Sequence, residues 1–322
     1  MRKRIFTYFI IAQIIILSGL VLRIYWQQQV LGSVSVNTIS KEDVISSQSG
    51  EWKYFYEPKP NTVVKDQLPG FSVATHTYNN DSLNEGFNYS IEKPKTIYRI
   101  IALGDSFTYG AFVDTKDNWP SLLEDKLNSG FNCKKFNKFE VINLGNVGYD
   151  NDYSVERYRK RGSKYNPDLV LWLQVIPTRV NEMMIPLTQE YLREETMSKE
   201  FKRELNNGIK YYPEGTKANE EIVNKLGIDN ILKYQESAIK KILNYYTGPL
   251  TLFVIPGMQD NRKKMLEQTV KEVGFWSYFD GLRNYYNVNG AFPDAHPNQK
   301  GHQMIAEDVF NYLKNSKLIP CN

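Results

Sequence analysis

The sequence predicts an α/β protein built on a short parallel sheet, and three observations carry that reading. First, Ile97 to Leu103 (broken only by Arg99), Leu169 to Val175 and Pro249 to Ile255 are short, nearly continuous apolar runs, the mark of strands buried on both faces. Second, helix-like segments alternate with these runs, as parallel sheets with crossover helices require. Third, the first run ends in Gly104-Asp105-Ser106, at the strand end where open α/β sheets place their chemistry.

The elements follow in order. Met1-Arg2-Lys3-Arg4 precedes an uncharged apolar run from Ile5 to Leu22, closed by Arg23 and flanked by Tyr25 and Trp26. As a helix it would rise about 27 Å, close to a hydrocarbon core of roughly 30 Å. It reads as an uncleaved membrane anchor over residues 1–27, with the basic tip inside and the rest of the chain extracytoplasmic, or secreted if the segment is cleaved. Residues 28–70 mix Gln, Ser, Asn, Lys and Pro without sustained periodicity and read as a stalk. Residues 71–322 form the domain. A helix begins near Asn118, a second strand spans Lys138 to Gly145, and a helix-like stretch runs from Tyr153 to Tyr165 before the third strand. After that strand come a charged helical insertion at 183–226, an amphipathic helix from Asp229 to Tyr246 and the fourth strand. A helix from Gln259 to Val273, a short strand near Phe275 to Phe279 and a closing helix with Ile305, Val309 and Leu313 on its apolar side complete the chain.

The net charge of +4 is small for 322 residues, and the basic residues are spread among acidic ones, so nucleic-acid binding has no support. No cofactor or metal set is present at ligand spacing. His76 stands in a polar stretch as a surface or structural histidine, and His302, at the start of the last helix, reads as structural. The only two cysteines, Cys133 and Cys321, follow the first and last helices, which a doubly wound sheet commonly sets on one face. They are candidates for one disulfide in an oxidising compartment.

Gly104-Asp105-Ser106-Phe107-Thr108-Tyr109-Gly110 resembles the first block of the GDSL or SGNH hydrolases, serine esterases and acyl-esterases. Two further blocks appear in order. Gly145-Asn146-Val147-Gly148 resembles the second, and Asp294-Ala295-His296-Pro297-Asn298, with Gly301-His302 behind it, resembles the last. The resemblance spans roughly Tyr98 to Leu313 and implies a three-layer α/β/α sandwich of flavodoxin-like order. It also implies Ser106 as nucleophile, His296 as base, Asp294 as its orienter, and the Ser106 and Gly148 amides as oxyanion hole. The third block departs from the pattern: Gly-x-Asn-Asp is replaced by Gln174-Val175-Ile176-Pro177, which puts Ile176, a residue without a donor, at the oxyanion Asn. Asp105, Asn146, Gln174, Thr178, Arg179 and Asn181 are the nearby oxyanion or substrate candidates. The Asp-x-His spacing is also one residue shorter than the commoner form. The implied activity is cleavage of acyl esters, on O-acetylated cell-wall glycans or lipid esters. An O-acyltransferase with the same Ser and His, or a non-catalytic glycan-binding scaffold, are the alternatives.

Overall fold

The structure is a computed structural model that describes residues 44–46, 56–66, 71, 73–175 and 227–321. The expected anchor, the whole insertion at 183–226, Ile176, Thr178, Arg179 and Asn181 lie outside the described residues. Among the described residues, no helix is long and apolar enough to cross a membrane.

Five parallel strands form the central sheet: β5 (Ile97–Leu103), β6 (Lys138–Asn143), β7 (Leu169–Gln174), β8 (Leu250–Val254) and β9 (Ser277–Phe279), in the order β6-β5-β7-β8-β9. This is the 2-1-3-4-5 doubly wound order, with its switch point between β5 and β7. Each falls on a strand read from the sequence, and β5, β7 and β8 fall on the three apolar runs. Alternate residues of β5 face opposite ways: Tyr98, Ile100 and Ala102 enter one core and Ile101 and Leu103 the other. Both faces are covered, which is why the strands read as continuous apolar runs.

On one face lie α2 (Trp119–Gly130) and α6 (Gln299–Ser316), whose Trp119, Leu123, Leu127, Ile305, Val309 and Leu313 pack into a common core. The other face carries α3 (Asn151–Arg157), α4 (Ile228–Lys240) and α5 (Asp260–Val273). Asn118 caps α2 by accepting from the Ser121 amide at 2.9 Å, and Asn298 caps α6 by accepting from Lys300 and Gly301. The stretch predicted as one helix from Tyr153 to Tyr165 is α3 followed by a wider turn over Tyr158–Gly162 and a tighter one over Ser163–Tyr165. At Gly162 an added Cβ would sit 2.6 Å from Leu144 Cδ1, so the chain presses against the second strand where the helical geometry changes.

Arg99, which breaks the first apolar run, is fully buried in β5; its Nε donates to Glu140 Oε2 at 2.7 Å and its Nη1 to the Tyr165 carbonyl at 2.7 Å. A buried charge of this kind persists only with such partners.

The shared face of α2 and α6 brings Cys133 and Cys321 together as a disulfide, with Cα atoms 4.8 Å apart and a sequence separation of 188. Closing so long a loop restricts the unfolded chain by up to about 5 kcal/mol. Cys133→Ser is therefore expected to lower the urea midpoint by an amount equivalent to roughly 2–5 kcal/mol. Reduction of the wild type should give the same shift, and none further in the variant; unchanged midpoints would exclude a stabilising bridge.

Ahead of the sheet, β1 (Val44–Ser46) pairs antiparallel with β2 (Tyr56–Pro58), and β3 (Thr62–Asp66) with β4 (Ala74–Tyr78). The first three of these short strands lie within the stretch read as a stalk to residue 70, and β4 lies just beyond it. The carboxylate of Glu57 is buried against Arg157 (2.8 Å) and Arg161 (2.6 Å), which ties β2 to the domain. The strands escape a periodicity reading because they are short and polar: β3 is Thr-Val-Val-Lys-Asp, with Val63 64% exposed. His76 lies fully buried in β4, its Nε2 3.2 Å from Asp66 Oδ2, and is structural.

Candidate active site

Ser106 opens α1 (Ser106–Tyr109), a single helical turn at the C-terminal end of β5, beside the switch point. The turn forms because both ends are capped. Asp105 accepts from the Phe107 amide at 2.9 Å, and Gly110, at φ 87°, returns its amide to the Ser106 carbonyl at 3.0 Å. Gly104 is the residue the turn cannot exchange. Its φ is +151°, and an added Cβ would lie 2.2 Å from Thr108 Oγ1 and 3.2 Å from the Leu173 carbonyl. Asn143, at the end of β6, holds the turn from the other side by donating to the Thr108 carbonyl at 3.0 Å.

The Ser106 hydroxyl lies 2.8 Å from His296 Nε2, and His296 Nδ1 lies 2.7 Å from Asp294 Oδ2. With a carboxylate as acceptor, Nδ1 carries the proton, and Nε2 is left to accept from the hydroxyl. Three residues read from two distant parts of the sequence thus form one hydrogen-bonded chain. The short Asp-x-His spacing works through Ala295, which adopts φ 74°. The Ala295 amide closes a turn onto Phe292 O at 2.9 Å, and the Asp294 carboxylate also accepts from the His296 amide at 3.1 Å. His296 is 4% exposed and the Asp294 side chain 37% exposed.

The second loop reaches the same sheet edge. Asn146 donates its amide to Gly104 O at 3.4 Å, and its carbonyl accepts from Tyr149 N at 3.3 Å. This closes a four-residue turn with Gly148 at its third position, φ 74°, where a positive φ is required. Gly148 is exposed. The Ser106 amide, being in a first helical turn, has no intrahelical acceptor.

The remaining candidates divide. Asp105 is buried as the α1 cap, its Oδ1 taken up by the Phe107 amide. Gln174 ends β7 buried, its Oε1 3.5 Å from Arg262 Nη2 and its Nε2 without a partner among the described residues. Among the described residues no group of three His, Cys, Asp or Glu side chains could hold a metal ion.

Sequence reasoning missed Arg262. This α5 residue is 1% exposed and donates from Nη1 to the Val175 carbonyl at 2.7 Å, clamping the end of the third strand. Burial pushes its guanidinium down to about 10, against the favourable charge of Asp105, so it stays a cation at neutral pH. A signal was available: Arg262 shares its helix stripe with Leu266 and Thr269, both fully buried.

His302 supports the site without joining it. Its Nδ1 accepts from the Trp119 amide at 3.2 Å, satisfying a first-turn donor of α2. Burial, with a smaller effect from neighbouring His296, pushes its imidazole down from 6.5 to about 3. The folded form therefore favours neutral His302. Its contribution to stability is full above pH 6.5 and is lost as pH falls toward 3, with a slope of about 1.4 kcal/mol per pH unit. His302→Gln is expected to flatten the acid limb of stability against pH in urea titrations. Parallel limbs for wild type and variant would refute this.

Residues 100–309 match the family model described as GDSL-like Lipase/Acylhydrolase. No curated protein matches the chain. Among solved structures it is similar to a lipolytic protein of the G-D-S-L family from Desulfitobacterium hafniense (18% identity, 66% of this chain and 98% of that one, TM-score 0.36). It is also similar to the psychrotrophic esterase EstA from Pseudoalteromonas sp. (15%, 68% and 97%, TM-score 0.41). A third is a two-domain esterase active on acetylated mannans (15%, 69% and 51%, TM-score 0.43). The family match covers more than half of the sequence, including the turn that carries Ser106 and the loop that carries His296: the chain belongs to the GDSL-like lipase/acylhydrolase family and is an ester hydrolase.

Proposed function

We propose that the protein cleaves acyl esters through a covalent Ser106 intermediate, and the continuous Ser106–His296–Asp294 hydrogen-bonded chain is the observation that carries this reading. His296 Nε2 takes the Ser106 proton as Oγ attacks the acyl carbon, and the Asp294 carboxylate steadies the imidazolium. The Ser106 and Gly148 amides receive the oxyanion, Gly148 because its turn leaves the amide open on the loop. His296 then returns the proton to the leaving alcohol. Water, deprotonated by His296, attacks the acyl-enzyme and releases the carboxylic acid and Ser106. Gln174, whose buried amide sits at the strand end before the missing oxyanion Asn, is our candidate for supporting that hole.

The location we propose is extracytoplasmic, tethered by the apolar segment within residues 1–27. The basic tip before that segment supports it, as does the Cys133–Cys321 disulfide, a bond that persists in oxidising compartments. Substrates there would be O-acylated glycans or lipid esters. The test follows acetate release from p-nitrophenyl acetate and from acetylated cello-oligosaccharide, with and without free oligosaccharide as acceptor. Acetate release unaffected by acceptor supports hydrolysis. Acetyl appearing on the acceptor in place of free acetate would make the protein a transferase, and background rates with both substrates would refute ester chemistry.

A further inference from the structure

Beside the catalytic imidazole stands a wall of three phenylalanines. The Phe112 ring meets His296 edge-on at 5.3 Å between centroids, and Phe71 lies 4.5 Å from Phe112 and 5.0 Å from Phe292. All three are half-buried and keep part of their surface toward solvent. Phe112 holds φ 67°, a left-handed backbone that a bulky residue rarely adopts, and such strain tends to be kept where the local arrangement is used. Phe71 comes from the connection between β3 and β4 and lies outside the residues 100–309 that match the family. The segment ahead of the family domain therefore completes one side of the catalytic site.

We propose that Phe71, Phe112 and Phe292 form the binding wall for the alcohol half of the ester, and that this half is a ring with an apolar face, such as a sugar ring. The assignment rests on the hydrolysis proposed above. Chemistry fixes the side: the base that takes the Ser106 proton must hand it to the leaving oxygen, so that oxygen, and the alcohol it carries, lies next to His296 Nε2. The acyl group lies toward the oxyanion amides instead. The surface chooses the shape. Three flat rings without a single polar atom, open to solvent on one side, match a ring's C–H face better than they match a flexible chain, which needs an enclosing groove. Phe71 is then a specificity residue contributed by the N-terminal hairpin.

The experiment varies the two halves of the substrate separately. Wild type, Phe71→Ala and Phe71→Tyr are compared on ethyl acetate and phenyl acetate, which share the acyl group, and on p-nitrophenyl acetate and butyrate, which share the alcohol. With Phe71→Ala, KM for phenyl acetate should rise roughly tenfold with kcat nearly kept, a change typical of losing an aromatic contact. The loss in kcat/KM should be at least five times larger than with ethyl acetate, and Phe71→Tyr should restore it. Equal losses on both acetates would mean a purely structural wall, and a loss that grows from acetate to butyrate would place the acyl chain there; either overturns the proposal. If wild type hydrolyses none of these esters, the hydrolase reading falls by itself. The wall is then judged by NMR titration of phenyl acetate into Ser106→Ala and Ser106→Ala/Phe71→Ala proteins. Weaker binding to the double variant upholds it, and equal binding refutes it.

Discussion

Ser106→Ala is expected to lower kcat/KM on p-nitrophenyl acetate by about 10⁴-fold or more, and His296→Ala by a similar factor, while the double variant is no worse than either alone. The non-additivity is the diagnostic part. Ser106 Oγ and His296 Nε2 are 2.8 Å apart and act on one proton, so removing either removes the whole step. What survives should be whatever the Ser106 and Gly148 amides supply by themselves, since Ser106→Ala keeps the backbone amide. The fold should survive as well. Ser106 is 1% exposed, and its truncation removes one hydroxyl and leaves one imidazole nitrogen without its donor, a change of about 1–2 kcal/mol. Activity lost with a Tm within a few degrees of wild type separates chemistry from unfolding. A Ser106→Ala protein that keeps more than a tenth of wild-type kcat/KM would end the nucleophile assignment, and losses that multiply in the double variant would show the two residues acting independently.

The parts legible in the sequence are those where one physical requirement dominates. Ile97–Leu103 and Leu169–Gln174 are buried on both faces, which demands continuous apolar runs, and these gave the strands and hence the edge that carries Ser106. The Asp294–His296 pair was legible as a motif, and its geometry was not. An Asp-x-His spacing looks one residue short until Ala295 is seen in the left-handed region, a conformation that alanine does not advertise. Phe112 hid the same way. Arg262 was obscured because charge is normally read as exposure, and only its place in the stripe with Leu266 pointed inward. Phe71, β3 and β4 were obscured for another reason. Their packing is against residues far along the chain, such as the Asp114 carboxylate that accepts from Thr75 N at 2.8 Å, and no local period records that. Such contacts are tertiary facts carried by single residues.

Asp294→Asn should fall between the outright knockouts and wild type, with kcat on p-nitrophenyl acetate reduced roughly 10²- to 10⁴-fold and KM little changed. The carboxylate holds His296 in the tautomer with the proton on Nδ1, leaving Nε2 to accept from Ser106. An amide in its place can turn its NH₂ toward Nδ1. The proton then moves to Nε2, which can no longer take one from the hydroxyl. Raising the pH does not repair this, because the fault is in the tautomer and not in the charge; a variant rescued at high pH would argue for a purely electrostatic role. The 37% exposure of the Asp294 side chain lets water stand in for part of its effect, which favours the lower half of that range. Ala295 supplies the control within the same turn. Ala295→Gly relieves a left-handed backbone worth about 1–2 kcal/mol and keeps both Asp294 contacts, so it should retain activity. Ala295→Val, β-branched at φ 74°, should pull Asp294 away from His296 and reproduce the Asn defect. If Asp294→Asn stays within threefold of wild type while Ala295→Val is inactive, the turn matters for placing His296 and the carboxylate does not orient it.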